Sequence, residues 1–271
     1  MRGEVMSESA DGIDTGAASI ARTYDFLLGG AEHCEVDRRA ARAMIDSVPE
    51  TPLLAQANRA FLRRAVRYLV AEAGIRQLVD IGSGLPSTGN VHEIAQRIDP
   101  GVRVVYVDAD PVVLAHGRAL LGGDERTSLI RGDARNPDAI FEHSATRELV
   151  DGDEPFAVLF GGVLMHLDDA DDPEGVAARV RERLPSGGHL MISNTCDNGE
   201  PRARELARAF AASGMGENCF RTREQQLRYF DGLELVPPGL VPNNKWRPDR
   251  DFPDADNPVH ALHLCGIGRK P

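Results

Sequence analysis

Lysine is all but missing from this chain. Lys245 and Lys270 are the only two, and the other residues in the Lys+Arg count are arginines. With 31 basic against 42 acidic side chains the formal net charge is −11. A phosphate backbone requires a basic surface, so nucleic acid is not expected as a partner. The groups Arg63-Arg64-Arg67 and Arg202-Arg204-Arg208 stand at helical spacing and read as solvated helix faces. Cysteine is scarce too. Cys34, Cys196, Cys219 and Cys265 lie far apart, which argues against a zinc cluster or a disulfide framework and for reduced thiols. Aromatic residues make up 5%, with a single tryptophan, Trp246. No apolar run approaches the ~20 residues of a membrane span. Residues 1–16 are small and acidic and lack the apolar core of a signal peptide. The expectation is a cytoplasmic protein with neither a metal site nor a membrane partner. Oligomeric state has no signal.

What the chain holds is an ordinary apolar content of 42%, enough for a sizeable core, and one stretch that organises it. Leu78-Val79-Asp80-Ile81 is an apolar run around an acid. Gly82-Ser83-Gly84-Leu85-Pro86-Ser87-Thr88-Gly89 is a glycine-rich turn, and Asn90-Val91-His92-Glu93-Ile94 opens a helix. Gly82 and Gly84 carry no Cβ, so the backbone can come close to a ligand. The helix start is expected to offer unpaired N–H groups to it. The next strand, Arg103-Val104-Val105-Tyr106-Val107, ends in Asp108. That acid falls roughly 25 residues beyond the glycines, where a nucleotide-binding fold places a carboxylate on ribose hydroxyls. The two segments read as a βαβ unit for an adenosine-containing cofactor. A dinucleotide fingerprint wants a third small residue where Pro86-Ser87 stands. Asp80 fits poorly beside a diphosphate and well beside a cation, such as the sulfonium and ammonium of S-adenosylmethionine.

The pattern D-x-G-x-G, a downstream acid and then Gly132-Asp133-Ala134 resembles the class I S-adenosylmethionine-dependent methyltransferases. Longer motifs narrow this. They are I-A-R-x-Y-D-x-L-L-G-G from Ile20 to Gly30, D-R at Asp37-Arg38, and D-I-G-x-G-L-P-x-x-G-N-V-H from Asp80 to His92. V-Y-V-D-x-D-P-V-V-L-A-H follows from Val105 to His116, then R-G-D-A-R from Arg131 and W-R-P-D from Trp246. Over residues 19–270 the chain is similar to the actinobacterial S-adenosyl methyltransferase family, formerly a domain of unknown function. The resemblance implies an α/β, Rossmann-like class I fold: a mostly parallel seven-stranded sheet with an antiparallel edge strand, helices on both faces and an N-terminal helical extension. It implies S-adenosylmethionine as cofactor, with Gly82 and Gly84 at the amino-acid moiety and Asp80 orienting the turn or the ammonium. Asp108 would meet the ribose and Asp133 the adenine, with Ser83, Ala109 and Ala134 beside them. Tyr24, Gly30 and His33 would fold over the cofactor as a lid. His33 stands where the family usually has Asn, and Met165 where it often has the first of two histidines. The family supplies no methyl acceptor.

Along the chain, residues 1–17 read as a disordered tail, 18–74 as a helical cap or lid, and 75–271 as the cofactor-binding core, cap and core forming one domain. Residues 52–73 repeat apolar side chains at three- and four-residue steps, as a long helix does. Asp110 caps the helix that Pro111 begins. Asp133 has an alternative role as cap of the helix after Pro137. The run Phe156-Ala157-Val158-Leu159-Phe160 is a buried parallel strand, and the loop after it brings His166 to the cofactor side, because ligands lie outside the carboxyl ends of such strands. His166 is the candidate proton acceptor; the alternative is a loop histidine bound to backbone. Residues 237–256 are irregular, and Trp246 either helps cover the site or packs that segment to the core. Residues 260–268 alternate like an edge strand closing the sheet. The expected activity is methyl transfer to an unidentified, small-molecule acceptor. A cofactor-binding protein without transfer stays open, as does an NAD-dependent oxidoreductase, against which Ser87 and the lack of a Tyr-x-x-x-Lys pair count.

Overall fold

Strand β1 (Gln77–Ile81) is buried at every residue, as a parallel strand covered on both faces must be. In the computed structural model, which describes residues 16–86, 89–121, 124–248 and 254–271, it lies at the centre of one sheet. β2 (Arg103–Asp108), β3 (Thr127–Arg131), β4 (Ala157–Gly161) and β5 (His189–Thr195) run parallel in the order β3-β2-β1-β4-β5. β8 (His263–Arg269) pairs antiparallel with β5 from His189↔Arg269 to Thr195↔His263. The two-residue strands β6 (Glu234–Leu235) and β7 (Val241–Pro242) pair with β8, one after the other along it. Eight strands thus fill the seven expected positions, and the 260–268 segment lies one position in from the edge. Strand order reverses between β1 and β4, which opens a crevice at their carboxyl ends.

Successive strand residues face opposite sides, and two cores result. Val79, Val105, Val158 and Leu190 pack beneath α6 (Pro137–Glu142), α7 (Ser144–Leu149) and α8 (Pro173–Arg183). Leu78, Val104, Leu159 and Met191 pack beneath α3 (Thr51–Arg67) and α4 (Val91–Ile98). α5 (Pro111–Leu121) links β2 to β3, and α10 (Arg223–Arg228) precedes β6. α3 runs on into a π-helical turn, Tyr68–Glu72, and the chain leaves it at Gly74 with φ 74°. Because Phe61, Ala65 and Leu69 pack on the sheet, α3 belongs to the helical layer. α1 (Ile20–Leu27) and α2 (Glu35–Ser47) precede it, and all three contribute to the cavity at the strand ends. A third, smaller cluster joins Met44 of α2 and Val48 just after it to Leu206 and Phe210 of α9 (Pro201–Ala211). No periodicity in the sequence announced it.

Two local expectations change. Arg64 is not on a solvated face: it is buried, and its guanidinium donates to the carbonyls of Trp246 and Asn243. Trp246 is fully buried, edge-on to Phe61 and Tyr68, so it packs the irregular segment to the core and does not cover the strand ends. Residues 1–15, Ser87 and Thr88 of the glycine-rich turn, and Asp249 of the W-R-P-D motif lie outside the described residues. No helix among the described residues is long and apolar enough to cross a membrane.

Candidate functional site

The glycine turn is laced to the end of β2. The N–H groups of Gly82 and Ser83 donate to the Val107 carbonyl at 2.8 and 3.2 Å, and the Gly84 N–H donates to Asp108 Oδ2 at 2.9 Å. Gly82 and Gly84 have φ of 70° and 68°, the left-handed region open to glycine. Their missing side chains matter differently. A Cβ on Gly82 would stand 2.5 Å from Val163 Cγ2, whereas one on Gly84 would meet nothing within 4 Å. Gly82 permits packing, and Gly84 faces open space.

That space is a cavity of about 480 Å³. Asp80, Gly82, Ser83, Gly84, Asp108 and Ala109 line one side, with Asp133 and Ala134 beyond them. Tyr24 of α1 lies across from them, and His166 borders it too. The structure therefore brings together all of the expected site residues except two. Gly30 packs against the Asp25 carboxylate, which also accepts the Glu32 N–H at 2.8 Å. His33 has Nε2 3.1 Å from the Gly30 carbonyl and its ring edge-on to Phe26. Both shape the bend between α1 and α2 and do not border the cavity. The start of α4 also differs from expectation. Just before it the Gly89 and Asn90 N–H groups donate to the Glu93 carboxylate, and in its first turn the His92 N–H donates to the Tyr106 hydroxyl.

Asp80 is 5% exposed. No described residue donates a hydrogen bond to its carboxyl. Burial pushes it up to about 7; the neighbouring Asp108 adds to this and Arg59 opposes it. A buried acid without a donor, bordering a cavity, suits a cationic ligand. Burial also raises Asp108, although the N–H groups of Gly84 and Asp110 on its two oxygens partly offset this. Asp133 is bound by Arg135 at 2.6 Å, which holds it below the usual carboxylate range. It does not cap α6: that is Asn136, whose side chain accepts from Ala139.

Two ties hold α1 over the cavity. Arg22 Nε lies 2.7 Å from Asp37 Oδ2, both side chains nearly withdrawn from water. Burial pushes Asp37 up, but Arg22 and the N–H groups of Ser19 and Cys34 outweigh it and hold the acid low. The Ser19 hydroxyl reaches Asp110 Oδ2 at 2.7 Å. The loop after β4 is clamped as firmly. The Cys219 backbone N–H donates to the Met165 carbonyl at 2.7 Å, and the buried Arg221 guanidinium donates to the carbonyls of Leu164 and Leu167. His166 Nδ1 lies 3.1 Å from the Glu217 carbonyl, and its ring stacks on Phe210. A carbonyl only accepts, so Nδ1 carries the proton and Nε2 keeps a lone pair. Burial lowers its pKa to about 4. His166 is thus bound to backbone and borders the cavity at once. Arg59, Asn58 and His263 also line the cavity. Their sequence contexts, a helical repeat and a strand alternation, gave no sign of it.

A family model described as S-adenosyl methyltransferase matches residues 6–271. A protein from Thermobifida fusca YX, assigned as a methyltransferase, superposes with a TM-score of 0.90 at 40% identity, covering 97% of this chain and 99% of its own. A DUF574 family protein from Streptomyces avermitilis MA-4680 gives 0.91 at 38% identity, over 95% of this chain and 99% of its own. The mitomycin 7-O-methyltransferase MmcR, 17% identical, shares the fold with a TM-score of 0.53 over 91% of this chain and 71% of its own. No curated protein sequence matches. The family match overturns the oxidoreductase reading. The chain belongs to the S-adenosyl methyltransferase family and is an S-adenosylmethionine-dependent methyltransferase with a class I fold.

Proposed function

We propose that the cofactor lies along the carboxyl ends of β1, β2 and β3, and that methyl transfer is to a small molecule held beneath α1, α2 and α9. One observation carries this: a single cavity runs from Asp80, Gly84, Asp108 and Asp133 to His166. Gly84 offers backbone to the amino-acid part, Asp80 a counter-charge to its cationic groups, Asp108 an acceptor for the ribose hydroxyls, and Asp133 with Ala134 the adenine pocket. The sulfonium of S-adenosylmethionine supplies a methyl group that is already activated. The protein's tasks are then to align an acceptor, exclude water and take up a proton. α1, tied down through Ser19 and Arg22, covers the site as a lid and places Tyr24 against it. His166 Nε2 is the proton acceptor. Cap and core act as one domain, because the same cavity wall is drawn from both.

Calorimetry tests this placement. Asp108→Ala should weaken S-adenosylhomocysteine binding by roughly 100-fold, the loss of two hydrogen bonds to a charged group. Unchanged affinity would defeat it.

A further inference from the structure

His263 is 5% exposed and sits in the cavity wall with Nε2 unpartnered among the described residues. Its Nδ1 lies 3.1 Å from Asn243 Nδ2. Which nitrogen carries the proton follows from a relay that starts at a group able only to accept. The Tyr24 hydroxyl is 3.1 Å from the Ala55 carbonyl and donates to it. Tyr24 therefore accepts from Asn58 Nδ2 at 3.2 Å. That orientation turns Asn58 Oδ1 toward Ser193 Oγ at 2.7 Å and Asn243 Nδ2 at 3.1 Å. The Asn243 amide then has one hydrogen left, and it goes to His263 Nδ1. The proton of His263 sits on Nε2, the reverse of His166. Burial, with His166 nearby adding to it, lowers the pKa of His263 to about 3, so the ring is neutral. One imidazole at this wall is thus a donor and the other an acceptor.

The cavity is also divided by charge. Its charged lining side chains among the described residues are Arg59, Asp80, Asp108, Asp110 and Asp133. All but Arg59 lie within the last two residues of, or just beyond, the strands on the cofactor side. The other end is made by Met44, Leu54, Leu206, Phe210 and Met215, with neutral Thr195 and Asn218. A carboxylate bound there would find no cation, and an ammonium no acid. An imidazole N–H buried without a partner is destabilising, and a ligand oxygen accepting from it would recover that loss.

We propose that this end takes a neutral, largely apolar acceptor bearing a hydroxyl group, its oxygen accepting from His263 Nε2–H and its proton directed at His166 Nε2. The proposal rests on the cofactor placement above. In the transfer the oxygen–carbon bond forms and the sulfur–carbon bond breaks. The bonding pair stays on sulfur, and the hydroxyl proton passes to His166 Nε2. His263 is then a residue that selects the acceptor, positioned through Asn243, Asn58 and Tyr24.

Long-range proton–nitrogen NMR on the protein saturated with S-adenosylhomocysteine reads both rings directly. His263 is expected protonated at Nε2 and His166 at Nδ1. 2-Naphthol should move the His263 Nε2 resonance, and naphthalene should not. Calorimetry of the same complex should find 2-naphthol bound at least tenfold more tightly than naphthalene. His263→Phe should remove that preference, and His263→Gln, which keeps an N–H donor, should retain part of it. A His263 protonated at Nδ1, or wild-type protein without a preference for the naphthol, overturns the proposal. Saturation by S-adenosylhomocysteine in the same samples keeps that failure distinct from a failure of the cofactor placement.

Discussion

The Gly84 N–H donates to Asp108 Oδ2 across 24 residues of chain, so the acid expected at a ribose also fixes the bend expected at the amino-acid end. The two glycines of that bend should respond differently to substitution. Gly84→Ala carries the ~1–2 kcal/mol penalty of a left-handed backbone, and its methyl enters open space. It should fold and lose cofactor affinity. Gly82→Ala adds a collision with Val163 and should lower the melting temperature further. Val163→Ala in the same chain should restore part of the loss. Equal stability of the two single variants would contradict this.

Asp80 makes cofactor binding depend on pH. Its carboxyl must be ionised to pair with a cation, and in the free protein it titrates at about 7. Affinity for S-adenosylmethionine should fall about tenfold per unit as pH drops below 7 and level off above it. Binding near pH 6 should release a proton, readable from calorimetry in buffers of different ionisation enthalpy. The same acid affects the unliganded fold with opposite sense. A folded pKa above the unfolded one contributes stability that is full below about pH 4 and lost as pH rises through about 7. Asp80→Asn should flatten both profiles, and unchanged profiles in that variant would contradict the assignment.

Arg22 and Asp37 form the buried pair that fastens α1 to α2. Arg22→Met leaves the Asp37 charge without its cation and should cost about 3 kcal/mol or more. Ser19→Ala loses one hydrogen bond to Asp110 and should cost about 1 kcal/mol. Hydrogen exchange should show faster opening of α1 in both, and stopped-flow should show faster cofactor release. Release rates equal to wild type would remove the lid role.

His166→Phe should keep cofactor affinity within a fewfold and lower kcat by about 100-fold or more. With its pKa lowered to about 4, His166 stays neutral across pH 5.5–8. The kcat profile should therefore lack the ionisation near 6.5 of an ordinary histidine. Its depressed pKa contributes stability that is present above about 6.5 and lost as pH falls toward about 4. A base-dependent limb in kcat near 6.5 would contradict this.

Much of the cofactor side was legible because its signals are local. The apolar run of β1, the positive-φ glycines and the acid ending β2 are read within one βαβ unit. The acceptor side was not legible. His263 looks like any alternating strand residue, and its tautomer depends on Asn243, Asn58 and Tyr24, drawn together across more than 180 residues. Gly30 ends a conspicuous motif and His33 follows it, yet the two build a bend held by Asp25 and do not border the cavity. Arg64 sits in a run of arginines, and only the tertiary fold places it beneath Trp246.

The most direct measurement is a crystal structure with S-adenosylhomocysteine bound. The ribose hydroxyls should lie within hydrogen-bond distance of Asp108, the adenine beside Asp133 and Ala134, the amino-acid end against Gly84 and Asp80, and the sulfur should point toward His166. A nucleoside seated elsewhere, or a sulfur facing away from the end lined by Leu54 and Phe210, would contradict the assignment.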